Sequence, residues 1–180
     1  NYHPALQLVL VLPEGASLPA SLETLIKTEP RIQIVSGGIT RFHSVQNGLA
    51  VLPDEGLVFI HDAVRPLLQH DLIRRCETTA LTMGNAIPVV PLKDSLRVMQ
   101  AAGSHAVPRE NYRLVQTPQT FRLHEIKQAY QQAYRDTFSD EASVYEAAGY
   151  PIHLTEGDAN NLKITTPTDL KLAHYLLTDR

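Results

Sequence analysis

Short unbroken apolar runs alternate along the chain with stretches in which apolar residues recur at helical spacing. Leu6 to Leu12 is the first such run and predicts a buried strand, ended by Pro13 and the Glu14-Gly15 turn signal. A short helix follows, from Ser21 as its N-cap to about Thr28. Ile32-Gln33-Ile34-Val35 alternates as a second strand and runs into Ser36-Gly37-Gly38, and from Arg41 the spacing turns helical, with Phe42, Val45 and Leu49 on one side. Val58-Phe59-Ile60, apolar throughout, predicts a strand buried on both faces, of the type found inside parallel sheets. Asp71 is placed to cap a helix carrying Leu72, Ile73 and Cys76 that stops near Gly84. The run Ala86 to Pro91 holds prolines at 88 and 91, which demote it to an edge strand or a bulge.

The second half of the pattern is less regular. Leu96-Arg97-Val98-Met99 can pair with Ala106-Val107 in a hairpin turned at Ala102-Gly103-Ser104, and Pro108 to Arg113 has no clear period. Alternation of its apolar residues favours an arm over a mobile loop. Leu123, Ile126, Tyr130, Ala133 and Thr137 fall on one stripe and predict a long helix. Ser139 caps a further short helix closed by Gly149, and Ile152-His153-Leu154 is a last strand. Asp158 to Ile164 is a turn rich in hydrogen-bonding side chains. Thr166, Pro167 and Asp169 then form an N-terminal capping arrangement for a closing helix through Leu177. Strands and helices in alternation define an α/β layer fold in a single domain, without internal repeats.

Composition narrows the function. At 180 residues, with 16 Lys plus Arg against 19 Asp plus Glu and a formal charge of −3, the chain has no basic excess for nucleic acid. Trp is absent and aromatics are sparse, which argues against base-stacking platforms. Cys76 is the single cysteine, so an intrachain disulfide is excluded and a reducing, cytoplasmic setting is the expectation. Its helical neighbours make it a core thiol. The longest apolar stretch, Leu8 to Leu12, is too short to span a bilayer, so no membrane partner is expected.

The chemistry concentrates where strands stop. Directly after Ile60 come His61, Asp62, two small residues, Arg65 and Pro66, and polar groups at the carboxyl end of a parallel strand sit where open α/β sheets bind ligands. Strand, paired glycines Gly37-Gly38, then helix is a nucleotide approach geometry, because glycine admits a ligand close to the backbone and a helix start offers free N–H groups. Ser44, one turn into that helix, can reach a base or ribose. No second His or Cys stands at ligand spacing from His61, which is therefore read as a structural hydrogen-bonding residue.

Four ordered segments carry a resemblance: Ser36-Gly37-Gly38 with Arg41 and Ser44-Val45; His61-Asp62-Ala63-Val64-Arg65-Pro66; Gln116-Thr117-Pro118-Gln119; and Asn161-Leu162-Lys163-Ile164-Thr165 before Pro167 and Asp169. Together they resemble the 2-C-methyl-D-erythritol 4-phosphate cytidylyltransferases of the non-mevalonate isoprenoid route, over nearly the whole chain from Leu8. The resemblance implies a Rossmann-like nucleotide-diphospho-sugar transferase fold, a mixed, mostly parallel sheet with helices on both faces and a protruding β-arm at residues 92–115 that forms a homodimer. It implies magnesium-dependent attack of a polyol phosphate on the α-phosphorus of CTP, with release of pyrophosphate. By the same resemblance Gly37, Gly38, Ser44, Asp62 and Ala63 contact the nucleotide, with Asp62 also at the metal-bound phosphates. Arg65, Ser95 and Thr117 line the polyol-phosphate pocket. Arg109, acting across the dimer, and Lys163 position the acceptor phosphate as the catalytic cations.

The chain departs from the family pattern at Ile39, where many relatives have Asp, at Asn160, where Asp is frequent, and at Ser95, where Thr is common. It also lacks the strand and basic glycine-rich loop, Ala-Ala-Gly-x-Gly-x-Arg followed by Pro-Lys-Gln, with which relatives begin. The expectation is that these 180 residues are an N-terminally incomplete piece, inactive alone. Two rival readings stand beside the first: a cytidylyltransferase for ribitol 5-phosphate or another polyol or sugar phosphate, and a noncatalytic nucleotide-binding fragment.

Overall fold

In the computed structural model, which describes residues 3–178, the chain is organised as two units, Asn1–Gly56 with Arg122–Pro151, and Leu57–Phe121 with Ile152–Arg180.

The first unit is built on a parallel pair. β1 (Leu8–Leu12) and β2 (Ile32–Ser36) run side by side from Leu8 opposite Ile32 to Leu12 opposite Ser36, joined through α1 (Ala20–Thr28). α1 starts after Pro19, whose carbonyl accepts from the Leu22 and Glu23 N–H groups, so Ser21 lies inside the helix and caps nothing. α2 (Arg41–Ala50) is capped by Thr40, whose hydroxyl accepts from His43 N. Gly48 lets α2 lie close to β1, since a Cβ there would come within 3.0 Å of the Val11 side chain.

The stripe from Leu123 to Thr137 predicts more helix than forms. α4 (Leu123–Ala129) is all that forms, and Tyr130 closes it. The carbonyls at its end accept from side chains: Gln46 Nε2 donates to Tyr130 O at 2.8 Å and Gln132 Nε2 to Ala129 O at 2.9 Å. Tyr130 instead stacks on Phe42 with ring centroids 4.6 Å apart, so the stripe is satisfied by aromatic packing. α5 (Glu141–Ala147) is capped by Asp140 in a reciprocal box with Ser143, one residue after the expected Ser139, and Gly149 takes a positive φ of 90° beyond its end.

The second unit centres on β4 (Asn85–Pro91). It pairs with β8 (Gln119–Arg122) and β7 (Arg113–Val115) in antiparallel fashion and with β9 (Leu154–Glu156) in parallel, while β3 (Leu57–Ile60) joins through β8. Of the two readings its prolines allow, an edge strand or a bulge, the edge is excluded, since β4 has partners on both sides. Ile87 N donates to His153 O toward β9, so the Pro88 nitrogen faces the other side, where pairing passes from β8 to β7 across residues 116–118. The missing N–H falls in that gap, and the Pro88 carbonyl still accepts from Gln116 N at 2.8 Å.

β3, an end strand of this sheet, is half-buried at every position, not buried on both faces. α3 (His70–Met83) begins after Gln69, and Asp71, expected as its cap, lies in the first turn beside Arg74 at 3.2 Å. Leu72, Cys76 and Ala80 on α3 form the core with Ala86, flanked by Leu57, Phe59 and Leu68. The hairpin forms as β5 (Leu96–Gln100) and β6 (Gly103–Val107), with Leu96 opposite Val107 and the turn at Ala101-Ala102; a single 3₁₀ turn, Arg109–Asn111, follows. β9 starts two residues later than the sequence suggests. α6 (Pro167–Thr178) has the expected start, with the Asp169 carboxylate accepting from Thr165 N and Thr166 N. Among the described residues no helix is long and apolar enough to cross a membrane.

Candidate functional site

β3 delivers its last polar residues into a tight turn, closed by Arg65 N donating to Asp62 O at 3.0 Å. Ala63 is exposed on this turn. A second turn, 116–118, with a cis bond between Thr117 and Pro118, lies against it. Thr117 Oγ1 accepts from Asp62 N at 3.0 Å and lies 3.0 Å from His61 Nδ1, while His61 Nε2 lies 3.0 Å from Arg65 O.

The third segment, 158–164, is locked to both. Gln116 pairs with Asp158 through Nε2 to the carbonyl at 2.8 Å and Oε1 from the N–H at 3.0 Å. This approach is open because residue 157 is glycine: a Cβ there would stand 2.5 Å from Gln116 Oε1. Asn161, fully buried, donates from Nδ2 to Thr117 O at 2.7 Å and offers its carbonyl to Arg65 Nη1 at 2.7 Å. Ile164 N donates to Val64 O at 2.9 Å. These bonds bring the Lys163 Nζ to 3.0 Å from Asp62 Oδ2, with Arg65 Nε 3.8 Å from the same oxygen.

Two cations thus face one carboxylate. Asp62 is shielded, with 14% of its side chain exposed, whereas Lys163 keeps 48%. An ammonium has three donors, so the contact with Asp62 orients Lys163 and leaves donors for an incoming anion. Burial pushes the Arg65 guanidinium down from its ordinary value, with the Asp62 charge opposing it; arginine remains cationic at any working pH. Burial likewise pushes the His61 imidazole down, toward the neutral form. An anion with several oxygens is the ligand this chemistry fits.

Asp62, Arg65, Thr117 and Lys163 are thereby in one network. Ser95 is exposed on the segment between β4 and β5. Arg109 is engaged within its own segment, donating from Nη1 to Lys93 O. Gly37, Gly38 and Ser44 belong to the first unit. There Ser44 Oγ accepts from Gly38 N at 3.0 Å and donates to Thr40 O at 3.0 Å, so its hydroxyl closes the glycine loop onto the helix start. A Cβ on Gly38 would meet His43 Cβ at 2.4 Å, which leaves glycine as the residue that fits.

Residues 2–179 match the profile of the family described as 2-C-methyl-D-erythritol 4-phosphate cytidylyltransferase. The enzyme of that name from Phocaeicola vulgatus is 44% identical over 179 residues, covering 98% of this chain and 81% of its own. The one from Bacteroides thetaiotaomicron is 46% identical over 178 residues with the same coverage. Among solved structures, that of the Thermus thermophilus enzyme superposes with a TM-score of 0.81 at 35% identity, covering 97% of this chain and 84% of the other.

The chain belongs to the 2-C-methyl-D-erythritol 4-phosphate cytidylyltransferase family. It is a nucleotidyltransferase with the α/β fold expected from its sequence. The family motifs of the second unit coincide with the hydrogen-bonded network: the segment after β3, the 116–119 turn and the 161–164 turn each contribute to it. Gln116 and Asn161 stand in the motif segments with no role of their own expected; they carry no charge and hold the charged residues in place. Their signal was adjacency, since Gln116 precedes Thr117 and Asn161 stands two residues before Lys163.

Proposed function

We propose that this protein transfers the cytidylyl group of CTP to the phosphate of 2-C-methyl-D-erythritol 4-phosphate, releasing pyrophosphate in isoprenoid precursor synthesis, with Lys163 and Arg65 as the cations of the second unit that receive the reacting phosphates. The observation carrying this assignment is the Lys163 ammonium held 3.0 Å from a shielded Asp62 carboxylate, with Arg65 on the same oxygen. Phosphoryl transfer asks the protein mainly to hold two polyanions in line and to balance charge as it moves. Lysine supplies a point charge for the attacking oxygen, and Arg65, with its Nη1 on the Asn161 carbonyl, adds a second fixed positive charge. Asp62 and Ala63 are assigned to the nucleotide, and Arg65 and Ser95 to the polyol phosphate, with Thr117 lining that pocket through the turn it holds to Asp62 and His61. In the first unit, Gly37 and Gly38 are assigned to the nucleotide through backbone groups, and Ser44 through the loop it closes.

Magnesium fits this donor set in one way. It is commonly held by one or two carboxylates, water and substrate phosphates. Among the described residues there is no group of three His, Cys, Asp or Glu side chains that could cage an ion. Asp62 is the carboxylate that would hold it together with the triphosphate, and the ion when bound supplies positive charge at the phosphate oxygens.

We further infer a cytoplasmic homodimer formed through residues 92–115. The exposed Val98 and Met99 of the hairpin support it, as do the exposed Tyr112, Leu114 and Val115 behind it. Arg109 is assigned to the partner's acceptor phosphate. Mixed dimers of Arg109→Ala with a Lys163→Met protomer then recover part of the activity, and failure of mixing to rescue excludes the role in trans.

Pyrophosphate release by the intact protein with CTP, magnesium and methylerythritol phosphate tests the function, with ribitol 5-phosphate as the competing acceptor. Lys163→Met lowers turnover about a hundredfold or more, the scale of one positioned charged donor. No release with either acceptor, or preference for ribitol phosphate, overturns the assignment.

A further inference from the structure

We infer that His61, which the function above leaves without a role, is a positioning residue that fixes the spacing between the Asp62 carboxylate and the Arg65 guanidinium; the inference rests on the proposed function. The directions of its bonds follow from what each partner can do. A backbone carbonyl only accepts, so His61 Nε2, 3.0 Å from Arg65 O, carries the ring proton and donates it. A backbone N–H only donates, so Thr117 Oγ1 accepts from Asp62 N. The single hydroxyl proton of Thr117 then points to His61 Nδ1, 3.0 Å away, which in this tautomer is an acceptor. The chain therefore runs one way, from Asp62 N–H to Thr117, from Thr117 O–H to His61, and from His61 Nε2–H to Arg65 O.

The consequence is geometric. This chain grips the 62–65 turn at both ends, at the N–H of Asp62 and the carbonyl of Arg65, while the Arg65 N–H to Asp62 O bond closes it inside. A turn held at both ends and across its middle presents its two charged side chains at a set separation. Lys163 and Asn161 then dock on it, through Asp62 Oδ2 and Arg65 Nη1. Positioning of this kind matters because displacement of about 1 Å can cost about a hundredfold in rate.

Steady-state kinetics of His61→Ala, His61→Gln and His61→Asn, with KM for each substrate and thermal unfolding midpoints, test the inference. Since the chain holds the turn at Asp62, assigned to the nucleotide, as well as at Arg65, assigned to the acceptor, His61→Ala raises KM for both CTP and methylerythritol phosphate, each about tenfold. His61→Gln keeps a donor for the Arg65 carbonyl and His61→Asn an acceptor for Thr117, so each recovers part of the loss. A shift confined to one of the two KM values, or kinetics unchanged in His61→Ala, overturns it. If His61→Ala does not fold, the same criterion applied to His61→Gln decides. The unsubstituted intact protein is the control, and all variants are made in it: its failure to release pyrophosphate overturns the proposed function and this inference with it, whereas a working control with the wrong KM pattern overturns the inference alone.

Discussion

Arg41 and Glu141 offer a test of how the first unit holds the start of α2. Glu141 is completely buried, while its partner Arg41 keeps 44% of its side chain exposed. Arg41 Nη2 donates to Glu141 Oε2 at 2.9 Å and Nη1 to Oε1, a two-pronged contact. The asymmetry in burial predicts an asymmetry in substitution. Arg41→Ala leaves a buried carboxylate without its cation, with the Tyr130 hydroxyl as its remaining side-chain partner, which costs about 3 kcal/mol, the low end for breaking a buried pair from one side. Glu141→Gln leaves a guanidinium that water can reach, and only a charge-assisted bond is weakened, at about 1–2 kcal/mol. For a chain of this length about 3 kcal/mol lowers the thermal midpoint by roughly 6–12 °C.

The pH dependence has a definite sign. Burial pushes the Glu141 carboxyl above its ordinary range even against the pull of Arg41. Removing Arg41 removes that pull, so the folded value rises further above the unfolded value of about 4.3. Stability is then full below the unfolded value and lost as pH rises through the folded one. The Arg41→Ala deficit, read by circular dichroism on heating, is largest at neutral pH and shrinks toward pH 4. The double variant Arg41→Ala with Glu141→Gln is more stable at pH 7 than Arg41→Ala alone. A milder effect for Arg41→Ala than for Glu141→Gln, or a deficit that does not shrink on acidification, refutes the reasoning.

Three further outcomes follow from single observations. Gly157→Ala drives a Cβ to 2.5 Å from Gln116 Oε1 and 2.9 Å from Val89 O, so it costs about 1–3 kcal/mol in denaturant unfolding and raises both KM values by loosening the turn that carries Lys163. Gly38→Ala meets His43 Cβ at 2.4 Å; it raises KM for CTP while KM for the polyol phosphate stays unchanged, and an unchanged KM for CTP removes the glycine loop from nucleotide binding. Burial pushes the Cys76 thiol up to about 11, and the residue has no exposed surface, so thiol reagents at pH 8 modify it only as fast as the protein unfolds. Rapid labelling of the folded protein contradicts that.

Charge could be read from the sequence, but the bonds that hold it could not. Asp62, Arg65 and Lys163 stand out because strands end at them or motifs contain them, and the folded chain brings them together. The hydroxyls behaved differently. Ser44 and Thr117 look like ligand-facing groups, yet each spends its proton inside the protein, on Thr40 O and on His61 Nδ1. Ser44's partners lie within its own loop, whereas Thr117 reaches His61 across 56 positions and Asn161 reaches Thr117 across 44, separations at which spacing carries no signal. The same division explains the errors of fold. Pro88 argued locally for an edge, and a gap between β7 and β8 made it tolerable in the middle of a sheet. The stripe through Thr137 argued locally for helix, and Tyr130 instead stacks on Phe42 while its carbonyl accepts from Gln46, both on another helix. In each case a neutral amide or a backbone carbonyl decided the outcome. Substitutions at Gln46, Gln116 and Asn161 should therefore disturb geometry without changing net charge, which makes them sharper probes of positioning than replacing the cations themselves.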